Sequence, residues 1–129
     1  MKSLLDKSEE NYASFQMLKD AGKYSSCVHC AYYSAFQLSI HSLTTKFGVP
    51  ISFFIDHKND SHRIVITMMC DIMEKELKVN SLPYRTVMTE LKKERRKADY
   101  GLQEHGYKQV GKIELKLNEV LYMIKNNCL

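Results

Sequence analysis

The sequence predicts a single all-α domain, an up-and-down antiparallel bundle of four to five helices, and three observations lead there. Apolar residues recur three and four apart over long stretches, the spacing that lines one face of a helix. Only five Gly and two Pro occur, and apart from Gly111 they fall where such stretches break, at Gly22, Gly48-Val49-Pro50, Pro83, Gly101 and Gly106. No segment alternates apolar and polar residues as a half-buried strand does. A chain of 129 residues, 44% of them hydrophobic, suits one core over residues 1–129, because two smaller pieces would each bury too little apolar surface.

The first helix is expected at about 3–19, with Leu5, Tyr12, Phe15 and Leu18 as its stripe and Gly22 as its stop. The second, about 23–46, is the most apolar. Its Val28, Ala31, Tyr32, Ala35, Phe36, Leu38, Ile40 and Leu43 predict burial on more than one side, at the bundle centre. Ala31, Ala35, Ser39 and Ser42 are small enough to let neighbouring helices approach closely.

The connection that follows, Val49 to Ile55, is too apolar for a plain solvated loop; it either packs back on the bundle or meets a partner, and packing is favoured. The polar run Asp56 to Ser61 offers N-caps for a third helix at about 62–78, with Val65, Met68, Met69, Ile72 and Leu77 facing the core. Pro83 suits the first turn of a fourth helix at about 82–100, where its missing amide has no intrahelical partner. A fifth, about 107–125, carries Val110, Ile113, Leu117, Val120, Leu121 and Ile124 as a bundle-type seam.

Composition removes several classes. Ser, His, Lys or Asp interrupts every apolar stretch before the roughly 18 residues a membrane span needs. The N-terminus turns charged after Leu4-Leu5, unlike a secretory signal, so a cytoplasmic location is expected. Four cysteines then read as free thiols. Cys27-Val28-His29-Cys30 has no second closely spaced pair to complete a zinc site and no preceding strand to make a redox motif, so no metal and no cofactor is expected. The net charge of +4 is a mild bias toward polyanions.

One residue breaks the pattern. On the fourth helix Val87, Met88, Leu91 and Ala98 lie within about 60° of a common direction, and Arg95 falls on that apolar face. Lys93 and Lys97 point the opposite way and Arg96 lies on the flank. A guanidinium turned inward needs a partner. Asp99, one helical turn on, can pair with it structurally; alternatively Arg95 opens into a cleft or subunit interface, where a phosphate meets its fork of donors. Lys92, Lys93, Arg96 and Lys97 either complement the helix macrodipole as a solvated face or track a nucleic-acid backbone.

Ala31-Tyr32-Tyr33-Ser34-Ala35-Phe36 and Arg95-Arg96-Lys97-Ala98-Asp99-Tyr100, with Ser61-His62-Arg63 between them, resemble the HEPN superfamily, in the prokaryotic branch that carries A-Y-Y-x-x-F and R-x-x-A-D-Y. The resemblance runs from about Gly22 to Tyr100. It implies a helical bundle, usually a homodimer, often encoded beside a nucleotidyltransferase-type protein in toxin–antitoxin or defence modules, with RNA or nucleotides as ligands. Binding residues implied by it and by the inward arginine are His62, Arg95, Arg96, Asp99, Tyr100 and Tyr107.

Ribonuclease members of that superfamily place a histidine after an arginine with four to six residues between them, commonly with a tyrosine two residues on. His105-Gly106-Tyr107 has that ending, but eight residues separate Arg96 from His105 and nine separate Arg95 from it. Whether the chain is an enzyme therefore stays open. Arg95 or Arg96 with His105 is the candidate catalytic pair of an endoribonuclease toxin, the histidine as general base and the cation at the developing phosphorane charge. The alternative for His105 is a solvent-exposed loop histidine, and for His62 a capping or packing residue.

Overall fold

The computed structural model describes residues 3–101 and 105–129, which form six helices and, among the described residues, no strand. They are α1 Leu4–Asp20, α2 Tyr24–Thr45, α3 Ile51–Asp56, α4 Ser61–Lys75, α5 Leu82–Tyr100 and α6 Tyr107–Asn127. The architecture is a helical bundle with α2 at its centre, packed against α1, α4, α5 and α6.

Caps set the ends of α1. Ser3 and Asp6 make a reciprocal capping box at its start. At its end Gly22 takes φ +74°, so that Gly22 N–H reaches Lys19 O and Lys23 N–H reaches Leu18 O; this is the Schellman pair that satisfies the last carbonyls. The turn folds α2 back along α1. Ser8 Oγ donates to Ser34 O at 2.6 Å and Ser34 Oγ to Ser8 O at 3.0 Å, a buried two-way clamp that only small side chains permit.

Side-chain pairs give the direction of the remaining helices. Tyr12 meets Asn118 and Gln16 meets Glu114, so α1 and α6 are antiparallel. On α2 and α5, Tyr33 meets Arg95 and Ser39 meets Tyr84, again antiparallel. Tyr24 lies by Tyr107 and Ser42 bonds Cys128 O, so α2 and α6 run parallel. Alternation along the chain is kept by α3, which returns along α2 beside Phe36 and Ile40.

That short helix corrects the sequence reading, which left Val49 to Ile55 as a connection. Pro50 stands at its N-cap position, where the fixed φ suits an extended entry. The expected packing is met by Phe54, which is buried, while Ile51 and Ile55 remain 52% and 65% exposed.

The core contains every α2 residue expected there, the full α6 seam, and Phe15, Tyr84, Val87, Met88 and Leu91. In α4 the face is rotated. Val65, Ile66, Met69, Cys70 and Met73 are buried, whereas Met68 and Ile72 sit half-buried at the margin, because α4 wedges against both α2 and α5. It also ends at Lys75, so Leu77 lies beyond it. Asp60 occupies its N-cap position without a side-chain bond to the helix amides.

All four cysteines are free thiols. Burial pushes the Cys27 thiol up to about 11 and leaves it protonated, with its Sγ–H on Tyr24 O at 3.0 Å. No helix among the described residues is long and apolar enough to cross a membrane.

Candidate anion-binding cleft

The site begins with the same helical repeat that builds the core. Tyr84, Val87, Met88 and Leu91 carry the buried face of α5 over about two turns, and the next turn presents Arg95. Its side chain is 13% exposed. The guanidinium lies over the rings of Tyr32 and Tyr33, at 5.4 and 5.7 Å from their centroids, a cation–π arrangement that partly replaces lost hydration.

The polar contacts of Arg95 are long. Nη1 donates to Tyr33 Oη at 3.4 Å and sits 3.5 Å from Asp99 Oδ2, while Nε is sealed from solvent with no partner. The ion pair with Asp99 and the inward orientation therefore occur together. Asp99 is shared: both its oxygens lie 3.3 Å from His29 Nδ1, and the His29 ring rests against Tyr33 at 4.7 Å.

His62 enters from the first turn of α4. Its ring stacks on Phe36 at 4.5 Å and on Tyr32 at 5.4 Å, and its Nδ1 is 2.7 Å from Tyr32 Oη. Burial, reinforced by the charges of Arg95 and Lys92, pushes the imidazole down to about 4, so the ring is neutral at pH 7. Burial, against the opposing pull of Arg95, pushes the Tyr32 phenol upward and keeps its proton on. The phenol accordingly donates to Nδ1, and that assignment makes Nε2–H the tautomer of His62.

Between the start of α4 and the end of α5 opens a cleft of about 310 Å³, lined by Asn59, Asp60, His62, Arg63, Lys92, Arg95 and Arg96. Four cations and one carboxylate converge there. Lys92 and Arg96 form the ridge to a second, shallower groove of about 610 Å³ whose other walls are Thr89, Lys93, Lys97, Tyr100 and Gly101. Tyr100 is 81% exposed. Cations on both sides of one ridge make a continuous positive surface along the last two turns of α5.

The remaining candidates lie elsewhere. His105 is buried at 8% exposure, which corrects its reading as a solvent-exposed loop histidine. Its Nε2 is 2.8 Å from Glu94 Oε2, and its Nδ1 is sealed without a partner. Burial raises the Glu94 carboxyl, but the bond from His105 and the charge of Lys97 outweigh it, leaving the group below the usual carboxylate range. His105 does not line the Arg95 cleft, and Tyr107 is exposed against Tyr24 at the start of α6. Residues 102–104 of the joining segment are outside the described residues.

The structure thus gathers Arg95, Arg96 and His62 in one cleft, sets Asp99 beside Arg95 and Tyr100 in the adjoining groove, and leaves His105 and Tyr107 apart from it. It adds Arg63, Lys92, Asn59 and Asp60 to the walls, and Tyr33 and His29 to the support of Arg95. Lys92, Arg95 and Arg96 stand three and four apart, so their shared side was visible in the spacing. Asn59, Asp60 and His29 had no such signal, since they meet α5 only through tertiary packing.

Comparison with protein-family models, curated proteins and solved structures finds no match to this chain. Among the described residues, no group of three or more His, Cys, Asp or Glu side chains is arranged to hold a metal ion.

Proposed function

We propose that this chain is a HEPN-like binding module whose cleft takes the phosphate of a nucleotide or of an RNA strand. The observation that carries the reading is Arg95: a guanidinium largely removed from water, with an unpartnered Nε, among Arg63, Lys92 and Arg96. A desolvated cation has lost most of its hydration, and an acceptor that brings both charge and several oxygens replaces it best. Phosphate does so by offering two oxygens to the planar, two-pronged fork of arginine.

Neutral His62 lining the same cleft adds a donor without adding charge. Asn59 and Asp60 are acceptors for a hydroxyl or an exocyclic amine, which favours a nucleotide over bare phosphate. At about 310 Å³ the cleft is near the floor of small-molecule sites, which run from about 300 to 1,000 Å³, and matches a single nucleotide unit.

In this reading the protein acts in the cytoplasm as a homodimer, within a toxin–antitoxin or defence module, beside a nucleotidyltransferase-type partner. Support for the module and the partner comes from the two motifs and the Ser61-His62-Arg63 element. Support for the dimer comes from exposed Ile51 and Ile55 next to an apolar groove of about 330 Å³ bordered by Leu4, Phe36 and Ile40. Binding is favoured over cleavage by Arg95 or Arg96 with His105, because His105 is engaged by Glu94.

Calorimetric titration with nucleoside mono- and triphosphates and with a single-stranded oligoribonucleotide tests the proposal. Arg95→Ala is expected to weaken binding by about ten- to a hundredfold, the range for loss of a charge-assisted bond. A variant that binds like the wild type, or a wild type that binds none of these ligands, rejects it.

A further inference from the structure

Resting on the cleft reading above, we propose that Asp99 and His29 are positioning residues that set the ligand affinity of Arg95, with Asp99 competing for the guanidinium and His29 relieving that competition. Asp99 and His29 do not line the cleft; Asp99 approaches Arg95, which does, and is itself bonded to His29.

A committed arginine–carboxylate pair is bidentate, with bonds of about 2.7–2.9 Å. Here Nη1 approaches Oδ2 only to 3.5 Å, and the carboxylate turns both oxygens toward His29 Nδ1 at 3.3 Å. Asp99 is divided between its two neighbours. Arg95 does not depend on that contact to stay inward, because the rings of Tyr32 and Tyr33 already hold it. What Asp99 contributes is a negative charge beside a cation that lines the cleft, and that charge opposes an incoming phosphate. His29 draws the carboxylate toward itself and away from Arg95, and at 48% side-chain exposure it is free of the core.

The arrangement differs from an anchoring pair in the sign of its effect. If Asp99 held Arg95 in the binding pose, neutralising it would weaken binding. If Asp99 competes, the same substitution tightens binding. His29 matters only while the carboxylate is there to be drawn away, so its effect vanishes once Asp99 is neutral.

Inorganic pyrophosphate is the probe, titrated into the full chain at fixed low salt. Asp99→Asn is expected to bind it about three- to tenfold more tightly than the wild type, as removal of one nearby partly screened charge requires. His29→Ala is expected to bind it about two- to threefold more weakly, and to have no further effect in the Asp99→Asn background, a coupling that a double-mutant cycle isolates. Asp99→Ser repeats the test with a shorter side chain, and thermal unfolding confirms that each variant is folded.

Weaker or unchanged binding in both Asp99 variants overturns the proposal. So does a His29→Ala effect that persists without the carboxylate. Arg63→Ala and Arg95→Ala separate the two levels of the claim: if they weaken pyrophosphate binding while the Asp99 variants do not tighten it, only this inference fails. If the wild type binds no pyrophosphate, or binds it without regard to Arg63 and Arg95, the cleft reading falls and takes the inference with it.

Discussion

His62 has a pH dependence that can be read from its surroundings. In the fold, burial and the charges of Arg95 and Lys92 hold it neutral down to about 4, whereas its ordinary value is 6.5. Between those values the unfolded chain takes up a proton that the folded chain refuses. The contribution of His62 to stability is therefore whole above about pH 6.5 and drains away as pH falls toward 4. Denaturant unfolding at pH 7, 6, 5 and 4.5 is expected to show wild type and His62→Gln converging on acidification. A constant gap between them would place the acid sensitivity elsewhere. His105 makes a complementary case: His105→Ala is expected to lose about 1–3 kcal/mol of stability through the freed Glu94 bond, while nucleotide binding stays within about twofold of wild type, as additivity of separate sites requires. Loss of binding in that variant would bring His105 back into the functional site.

At the scale of the element, the ends of the helices carry more specific chemistry than their middles. The end of α1 is satisfied by Gly22, but the segment after α4 asks Lys78 to take φ +55°, the left-handed region where a Cβ is crowded. Backbone bonds hold it there, with Leu77 N–H on Ile72 O and Val79 N–H on Met73 O. Lys78→Gly is expected to leave the fold unchanged and to raise stability by up to about 1 kcal/mol, a gain reduced by the greater freedom of glycine in the unfolded chain. Equilibrium denaturation measures it, and a destabilised variant would mean that the lysine side chain contributes a contact worth more than the strain. The helices also differ in legibility. In α6 the buried residues follow one seam, spaced three and four apart. In α4 the buried face includes Ile66, Cys70 and Met73, since both α2 and α5 pack against it.

For the molecule as a whole, the return leg α3 decides two things at once. It brings the chain back along α2, so that α4 starts beside Tyr32 and Phe36 and His62 reaches the cleft. It also leaves Ile51 and Ile55 on the surface. If these residues form the contact of the proposed homodimer, replacing both by Ser removes apolar area from the interface without touching buried Phe54, and the mass measured by light scattering is expected to halve. A dimer of unchanged mass in that variant excludes the α3 face. The cleft, by contrast, should respond to salt: binding of an anion by four converging cations weakens as ionic strength rises.

Helical content, the central place of α2, the α6 seam and the inward turn of Arg95 were all legible in the sequence, because each depends on residue spacing along one helix, a period the chain states locally. The tertiary structure alone decided that Val49 to Ile55 contains a helix, that α4 is rotated, that His105 is buried on Glu94, and that Asn59, Asp60 and Arg63 share a cleft with Arg95. Those facts depend on how separate elements are set against one another. Side chains some thirty residues apart in the chain meet only after the bundle has closed, and no local period records the angle at which it does so.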